Sequence, residues 1–449
     1  MAFPEETIGE ISEGAEINSQ ASGRRKPAGG IHAARGYTKE YMTTNPGSGK
    51  IRMVALAIAT AARMGTVAAA HGQQDAATTG PSVVNAVAFS SDGKLLAAAA
   101  ECADKKGALV IFDVASGIPR LVHPEDAGIR AVAFSPQGGI LAIAGVSPLV
   151  KLLRVDDGDL VKTLEGHENQ GRSVAFSRDG RRLITANNDR TARIWDVSEA
   201  RCLTTFSAHT NMVSSAAITP DGSLAASCGQ DRTTRIWNPS TGEELRVLKP
   251  TEFYAVSHLA FSPDGKFLAT AHGDALVRIR ETRTGLLRAR ISTGAERVEF
   301  SADGRMLAAR TYGHIEVQVF DIDLSEPPPE LQRQIDALIG RWEDDSFAAR
   351  EAASAELVKI GMPAEAQLRK AMQSDSAETR IRARRAHTAV WSPVPRARLS
   401  DLVAEPTSIA FSPTGPTLAS GNRAGAVTLW DATSGKTLAT LSVDKAIGQ

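Results

Sequence analysis

The chain has 449 residues, with 51 basic and 51 acidic side chains, so its formal net charge is zero. This balance lacks the basic excess of most nucleic-acid-binding proteins, and we expect no nucleic-acid partner. Hydrophobic residues make up 42% of the chain and aromatic residues only 5%. We therefore expect a sizeable core that is packed mainly with small aliphatic side chains.

The cysteines suggest no metal or redox chemistry. Cys102, Cys202 and Cys228 form no Cys-x-x-Cys pair, which argues against a zinc ribbon or a thioredoxin-like site. We interpret them as small core residues and expect neither a metal nor a cofactor.

The first 82 residues are rich in Gly, Ala, Ser and Thr, and they predict a disordered leader. Segment 50–70 resembles a secretory signal, because Lys50 and Arg52 precede an apolar stretch at 53–62 and Ala68–Ala70 follows. Arg63 and the roughly fifty residues before the segment argue against that reading. The location therefore stays open: periplasmic or secreted with a signal, cytoplasmic without one. The chain has no apolar run of about 18 residues, so we expect no membrane span.

One phrase then recurs seven times: apolar-Ala-Phe-Ser-x-Asp-Gly, an apolar strand, and a variant of Arg-Ile-Trp-Asp. Its phenylalanine position falls at residues 89, 134, 176, 218 (an isoleucine), 261, 300 and 411. The first five intervals are 39 to 45 residues long and the sixth is 111, so about seventy extra residues lie inside one repeat. A period of this length with four short strands per unit predicts an all-β propeller of seven blades.

Each part of the repeat has a structural reason. The Asp-Gly pair predicts a tight turn between strands a and b, where glycine supplies a positive φ. Strand b is small and apolar throughout, as expected when neighbouring blades cover both of its faces. Strand c carries the tryptophan, and a second Gly turn leads to strand d. Helices do not fit, because turn residues interrupt the apolar runs every 8 to 12 positions.

These residues resemble WD40 repeats over 83–323 and 395–443, with a short tail at 444–449. The third and fourth repeats match the family pattern most completely, with a spacing of 22 residues from His to Asp and 6 from Asp to Trp. The resemblance implies that each set forms a structural hydrogen-bonded relay rather than a catalytic triad, because the set recurs at fixed blade positions. The sets are His167, Thr185, Asp189 and Trp195, and His209, Ser227, Asp231 and Trp237.

The other repeats depart from this pattern. The fifth keeps Thr270 and Asp274 and the seventh keeps Ser420, but neither has a complete relay. The tryptophan position is occupied by Phe112, Leu153, Arg280 and Phe320 in repeats one, two, five and six. We expect blades one, two and six to depend on apolar packing instead. We also expect each blade to come from one continuous segment, with Thr66–His71 as a rival for the last outer strand.

The extra residues, 324–394, are assigned to the loop between strands c and d of blade six. Apolar residues at helical spacing predict a helix over 331–342, and Asp345 and Ser346 resemble an N-cap for a second helix. We place Phe347, Ala352, Leu357 and Ile360 on the apolar side of that second helix. Further helices are expected after Pro363 and Ser374. The arrangement resembles a HEAT-type helical hairpin, an insert found in bacterial WD40 proteins.

An arginine cluster in this insert has two interpretations. It is either a docking surface for an acidic partner or a solvated helix face with salt bridges to Glu351, Glu356 or Glu378. We favour the second. The cluster consists of Arg380, Arg382, Arg384 and Arg385.

Two classes of function compete: a non-catalytic protein-interaction scaffold, and a propeller enzyme (a hydrolase or lyase) with a site in the central channel. A channel enzyme or metal site needs convergent His, Asp or Glu side chains near the channel mouth. The position two residues before the strand-a phrase is mixed and mostly uncharged, which favours a scaffold that binds proteins or peptides. We expect a monomeric propeller. The seven residues at this position are Asn85, Arg130, Arg172, Ser214, Ser257, Glu296 and Thr407.

Overall fold

A computed structural model describes residues 82–248, 254–311, 313–324, 327–390 and 394–448. In these ranges the chain forms seven antiparallel sheets of four strands each, paired in the order a-b-c-d. The seven-bladed all-β propeller predicted from the repeat is confirmed. The predicted leader, its signal-like segment and the rival strand Thr66–His71 lie outside the described residues.

The strands follow the chain blade by blade. Blade one contains β1 (Val83–Phe89), β2 (Leu95–Glu101), β3 (Gly107–Asp113) and β4 (Pro119–Glu125). Blade two contains β5 (Ile129–Phe134), β6 (Ile140–Gly145), β7 (Val150–Arg154) and β8 (Leu160–Leu164). Blade three contains β9 (Gly171–Phe176), β10 (Arg182–Asn187), β11 (Ala192–Asp196) and β12 (Arg201–Phe206). Blade four contains β13 (Val213–Ile218), β14 (Ala225–Gly229), β15 (Thr234–Trp237) and β16 (Glu244–Leu248).

The last three blades follow the same scheme. Blade five contains β17 (Val256–Phe261), β18 (Phe267–His272), β19 (Leu276–Glu281) and β20 (Leu287–Ser292). Blade six contains β21 (Ala295–Phe300), β22 (Met306–Thr311), β23 (Val317–Asp321) and β24 (Ala397–Leu399). Blade seven contains β25 (Pro406–Phe411), β26 (Thr417–Asn422), β27 (Ala426–Asp431) and β28 (Lys436–Ser442).

The core lies between the blades, where large side chains of one sheet pack on small side chains of the next. Trp195 of blade three is fully buried in a cluster with Ala142, Ala144 and Leu152 of blade two. The small strand-b residues leave the space that such a ring needs at close sheet spacing. The composition thus explains how a propeller this poor in aromatic residues forms a dense core.

The ring closes between blades seven and one without an exchanged strand. Each of the two sheets is built from consecutive strands, and their residues share one apolar cluster that includes Val84 and Leu429. The Ser82 backbone N–H donates a hydrogen bond to Asp444 Oδ1 at 3.0 Å. Asp444 belongs to a short helix, α5 (Val443–Ile447), whose Val443 is fully buried. The prediction of a mere tail at 444–449 is therefore wrong for most of that segment.

Four helices lie between β23 and β24 of blade six: α1 (Pro329–Gly340), α2 (Phe347–Ile360), α3 (Glu365–Ala371) and α4 (Ala377–Val390). They share a core of their own, which includes Trp342, Leu357 and Leu368. The Ser346 hydroxyl caps α2 by accepting from the Ala349 N–H at 3.3 Å. The resemblance to a HEAT-type hairpin stays a prediction.

Two residues of α2 do not lie where the sequence predicted. Phe347 is 65% exposed, and Ala352 is exposed as well, because the buried stripe of the helix runs through Ala353 and Leu357. The Phe347 ring instead contacts two guanidinium groups. The distance from Cζ to the ring centroid is 5.8 Å for Arg350 and 5.9 Å for Arg382. An aromatic face at a helix end is used here for cation–π contacts rather than for core packing.

Candidate functional site: the central channel

A channel with a volume of about 860 Å³ is lined by strand a of the blades. It brings together all the residues that the sequence placed near its mouth, although they come from seven separate repeats. On its wall lie Asn85, Arg130, Arg172, Ser214, Ser257, Glu296 and Thr407.

All seven residues occupy the same backbone feature, a β-bulge in strand a. In blade two, Ile129 pairs with Gly145 and Ala131 pairs with Ala144, which leaves Arg130 without a partner in the ladder. The same register shift skips the equivalent residue in every other blade. A bulge redirects a side chain that would otherwise follow the pleat. It therefore explains why this position lies at the channel mouth in each repeat.

Three of the seven side chains are already used within the ring. Asn85 donates from Nδ2 to the Ile129 carbonyl at 2.9 Å and so joins blade one to blade two. The Thr407 hydroxyl contacts the carbonyls of Val84 and, at 3.0 Å, Gly421. Glu296 forms an ion pair with Arg310. These residues hold the mouth in shape, which limits what they can offer a ligand.

Arg130 and Arg172 lie on adjacent blades and differ from these three. Arg172 donates from Nε to Asn188 Oδ1 at 2.8 Å, and neither arginine forms an ion pair within the described ranges. Burial lowers the pKa of the Arg172 guanidinium, and the positive charge of Arg130 lowers it further. Two neighbouring cations without a counterion form a site that favours an anionic group.

Sequence reasoning missed a second set of channel residues, which lie just below the mouth. The residue directly after the bulge is Ala or Ser in five blades, but it is His258 in blade five and Arg297 in blade six. The residue three positions after the bulge is Ala in six blades and Glu299 in blade six. All three polar residues line the channel. Comparing these two positions across the repeats, as was done for the mouth, would have found them.

The environment perturbs each of these three groups. Burial lowers the pKa of His258 to about 3, and Arg297 contributes to that shift. Burial also lowers the pKa of Arg297 to about 10, with a further contribution from Arg310. Burial raises the pKa of Glu299 to about 7. Glu299 Oε1 accepts a hydrogen bond from the Phe411 backbone N–H of blade seven at 3.1 Å.

The two complete relay sets have nearly the same geometry. In blade three, His167 contacts Asp189 Oδ2 at 2.7 Å and Thr185 Oγ1 at 2.7 Å, and Trp195 Nε1 donates to Thr185 at 2.9 Å. In blade four, His209 contacts Asp231 Oδ2 at 2.8 Å and Ser227 Oγ at 2.8 Å. Trp237 Nε1 donates to Ser227 at 3.2 Å. Hydrogen bonds from the histidines hold the pKa of both aspartates well below the usual range, against the effect of burial.

Blades five and seven hold partial versions of this set. Thr270 bonds to His272 at 2.8 Å, while Asp274 forms an ion pair with Arg278. In blade seven, Trp430 Nε1 donates to Ser420 at 2.9 Å. In blades one, two and six the tryptophan position is filled by Phe112, Leu153 and Phe320, each 1% exposed.

The four arginines of the insert cluster all belong to α4, but they differ in burial and in hydrogen-bond partners. Arg382 is only 6% exposed and pairs with Glu378 at 2.6 Å and Glu351 at 2.7 Å, so its assignment as a partner-binding residue is wrong. It lies on the side of α4 that packs on α2, where its charge must be compensated internally. Arg380 donates to the carbonyls of Ser374 and Asp375, both at 2.7 Å. Arg384 and Arg385 are exposed.

The insert lies at the opposite end of strand a from the mouth. A cleft with a volume of about 1880 Å³ is bounded by the Asp-Gly turns, including Asp264 and Asp303, and by Ile360 and Met362 of the insert. Arg369 of α3 donates to the Leu287 carbonyl of blade five at 2.8 Å. The propeller therefore carries two separate concave surfaces, one on each rim.

Three further features concern chemistry and location. The described residues contain no group of three or more His, Cys, Asp or Glu side chains that could hold a metal ion. None of the described helices is long and apolar enough to cross a membrane. Cys228 is buried, but Cys102 and Cys202 are only partly so, which makes the prediction of three core cysteines too broad.

Comparison with known proteins gives one family match. The model for "WD domain, G-beta repeat" matches residues 73–106, 158–196, 200–238, 242–280 and 400–431. No curated protein matches the chain. The matches include strands a to c of blades three, four, five and seven, and the first strands of blade one. They miss those of blades two and six, which carry Leu153 and Phe320 in place of the tryptophan. The chain therefore contains five segments that match the WD40 repeat model, and it folds into a seven-bladed β-propeller.

Proposed function

We propose that this propeller is a non-catalytic interaction platform that binds a protein or peptide at the channel mouth. The observation that carries the proposal is the ring of seven bulge residues, in which Arg130 and Arg172 stand side by side without a carboxylate partner among the described residues. Such a pair suits an acidic side chain of a partner. The cleft beside the insert is the second surface of the platform.

Reversing the charge of both arginines tests the mouth. Arg130→Glu with Arg172→Glu should abolish partner capture, because an acidic partner would then meet two carboxylates. The melting temperature should change little, since the described structure loses one hydrogen bond, from Arg172 to Asn188, and no ion pair. Affinity capture with mass spectrometry, together with a thermal melt, measures both effects.

A matched control makes the same charge change elsewhere. Arg201→Glu with Arg246→Glu reverses two exposed arginines on β12 and β16, the outer strands of neighbouring blades. This variant should keep the partner. If both variants capture the partner equally well, binding occurs away from the mouth, with the cleft beside the insert as the next surface to test.

The alternative is a propeller enzyme with its site in the channel. The perturbed pKa values of His258 and Glu299 are the observation in its favour, because such shifts are frequent at active sites. Turnover of a substrate that is lost on mutation of these two residues would support it. The platform proposal predicts that partner capture survives those same mutations.

A further inference from the structure

Arg297 is a channel residue that the interaction platform does not explain. It follows the bulge of blade six, at a position where five blades have Ala or Ser. It lines the channel, and burial lowers its pKa to about 10. Across the ladder it is in register with Arg310, a second cation. The free energy of holding a charge in such a place is unfavourable unless something pairs with it.

The acidic groups nearby are already engaged. Arg310 pairs with Glu296 and, at 3.5 Å, with Glu405. Arg423 also pairs with Glu405, at 2.9 Å. Two arginines and two glutamates thus balance one another in this network.

Glu299, two residues along the same strand, attracts Arg297 electrostatically but compensates its charge only in part. Its Oε1 accepts the Phe411 N–H, and burial raises its pKa to about 7, so its negative charge is weakened near neutral pH. Arg297 has no ion pair within the part of the chain that the structure describes. It is left as a partly buried guanidinium that lines an open channel.

From this arrangement we infer that Arg297 binds a carboxylate group that enters the channel. A guanidinium presents parallel N–H donors that match the two oxygens of a carboxylate. At the position after the bulge, the small Ala and Ser side chains of five of the other six blades leave room for the rest of the ligand. This site lies deeper than the mouth arginines, and a ligand could occupy it whether or not the propeller binds a protein.

The carboxylate has two sources, an acidic side chain of a bound peptide or a small organic acid. Two probes distinguish them: glutarate, and the peptide acetyl-Glu-Glu-Glu-Glu-amide. Glutaramide, which has the same shape without the charge, is the negative probe. Isothermal titration at low salt measures all three. A small-acid site binds glutarate, whereas a site that needs a peptide binds only the peptide.

Arg297→Met tests the site directly. We expect carboxylate binding to weaken by about tenfold or more, because charge-assisted hydrogen bonds are lost. The melting temperature should stay the same or rise, because a partly buried charge without an ion pair is replaced by an apolar side chain of similar length. Arg297→Lys keeps the charge but loses the paired donors and should bind with intermediate affinity. Arg201→Met, on the outer strand β12, should bind like the wild type.

Three results would overturn the inference. One is that neither probe binds the wild type at millimolar concentration. Another is that Arg297→Met melts several degrees lower and still binds, which would make Arg297 a structural residue. The third is that peptide binding is lost in the Arg130/Arg172 variant but unchanged in Arg297→Met. That last result would leave the interaction platform standing and remove only the interior site.

Discussion

A single buried hydroxyl group on strand b bonds to the neighbouring polar groups in blades four and seven. Ser227 and Ser420 occupy the same strand-b position in blades four and seven, and both are fully buried. Ser227 bonds to both His209 and Trp237, whereas the only described partner of Ser420 is Trp430. A buried polar atom that loses its partner costs more free energy than the average hydrogen bond contributes.

The two serines therefore form a matched pair for a stability test. Ser227→Ala should cost about 2 to 3 kcal/mol of unfolding free energy, because two buried groups lose their partner. Ser420→Ala should cost only about 1 kcal/mol. Urea unfolding of both variants measures the difference. Equal costs would mean that the His209–Asp231 pair does not add to the stability of blade four.

Other side chains show why a sequence pattern predicts some sites and not others. The relay sets were predictable because every member is defined by its position in a repeat. The burial of Arg382 was not predictable, because it depends on how α4 packs on α2. Phe347 was misplaced for a similar reason: one apolar residue at a helix end does not determine which way it points.

At the level of the element, strand a supplies the residues of each blade that line the channel. Its bulge turns one side chain toward the channel mouth, and the positions after the bulge line the interior. The Asp-Gly turn at its other end bounds the cleft beside the insert. The repeat predicted which residue of strand a lies at the channel mouth. It did not predict the β-bulge, because a bulge is defined by how strands a and b pair.

The seam between blades six and seven should respond to pH through Glu299. Its pKa is about 7 in the folded chain against an ordinary value of 4.5, so the folded state holds a proton that the unfolded state has released. Stability from this group is therefore lost as the pH rises between these two values. Glu299→Gln keeps an acceptor for the Phe411 N–H and removes the titration.

We expect Glu299→Gln to match the wild type near pH 5 and to be more stable at pH 8, by about 1 to 3 kcal/mol. Urea unfolding at the two pH values is the measurement. Glu199→Gln, an exposed glutamate near the outer strand of blade three, serves as the control and should show no such gain. A variant that is less stable than the wild type at pH 8 would mean that ionised Glu299 stabilises the seam.

At the level of the whole molecule, blade number, strand order and continuous blades could all be predicted. Seven copies of one sequence pattern make the repeat recognisable even where a single copy departs from it. The position of the insert followed from one long interval. The uneven distribution of polar residues in the channel was not predicted from the repeat. It depends on His258, Arg297 and Glu299, which occupy positions where most other blades have Ala or Ser. The final helix α5 was missed because its role in closing the ring depends on contacts between the two ends of the propeller.

The most direct test of the platform is to find which rim touches the partner. A photo-crosslinking amino acid is placed at Ser214, a bulge residue at the mouth, or at Ser223, an exposed residue of the same blade beside the opposite cleft. We predict that the protein captured by the wild type crosslinks through position 214 and not through position 223. Crosslinking through position 223 alone would contradict the claim that the channel mouth is the binding surface.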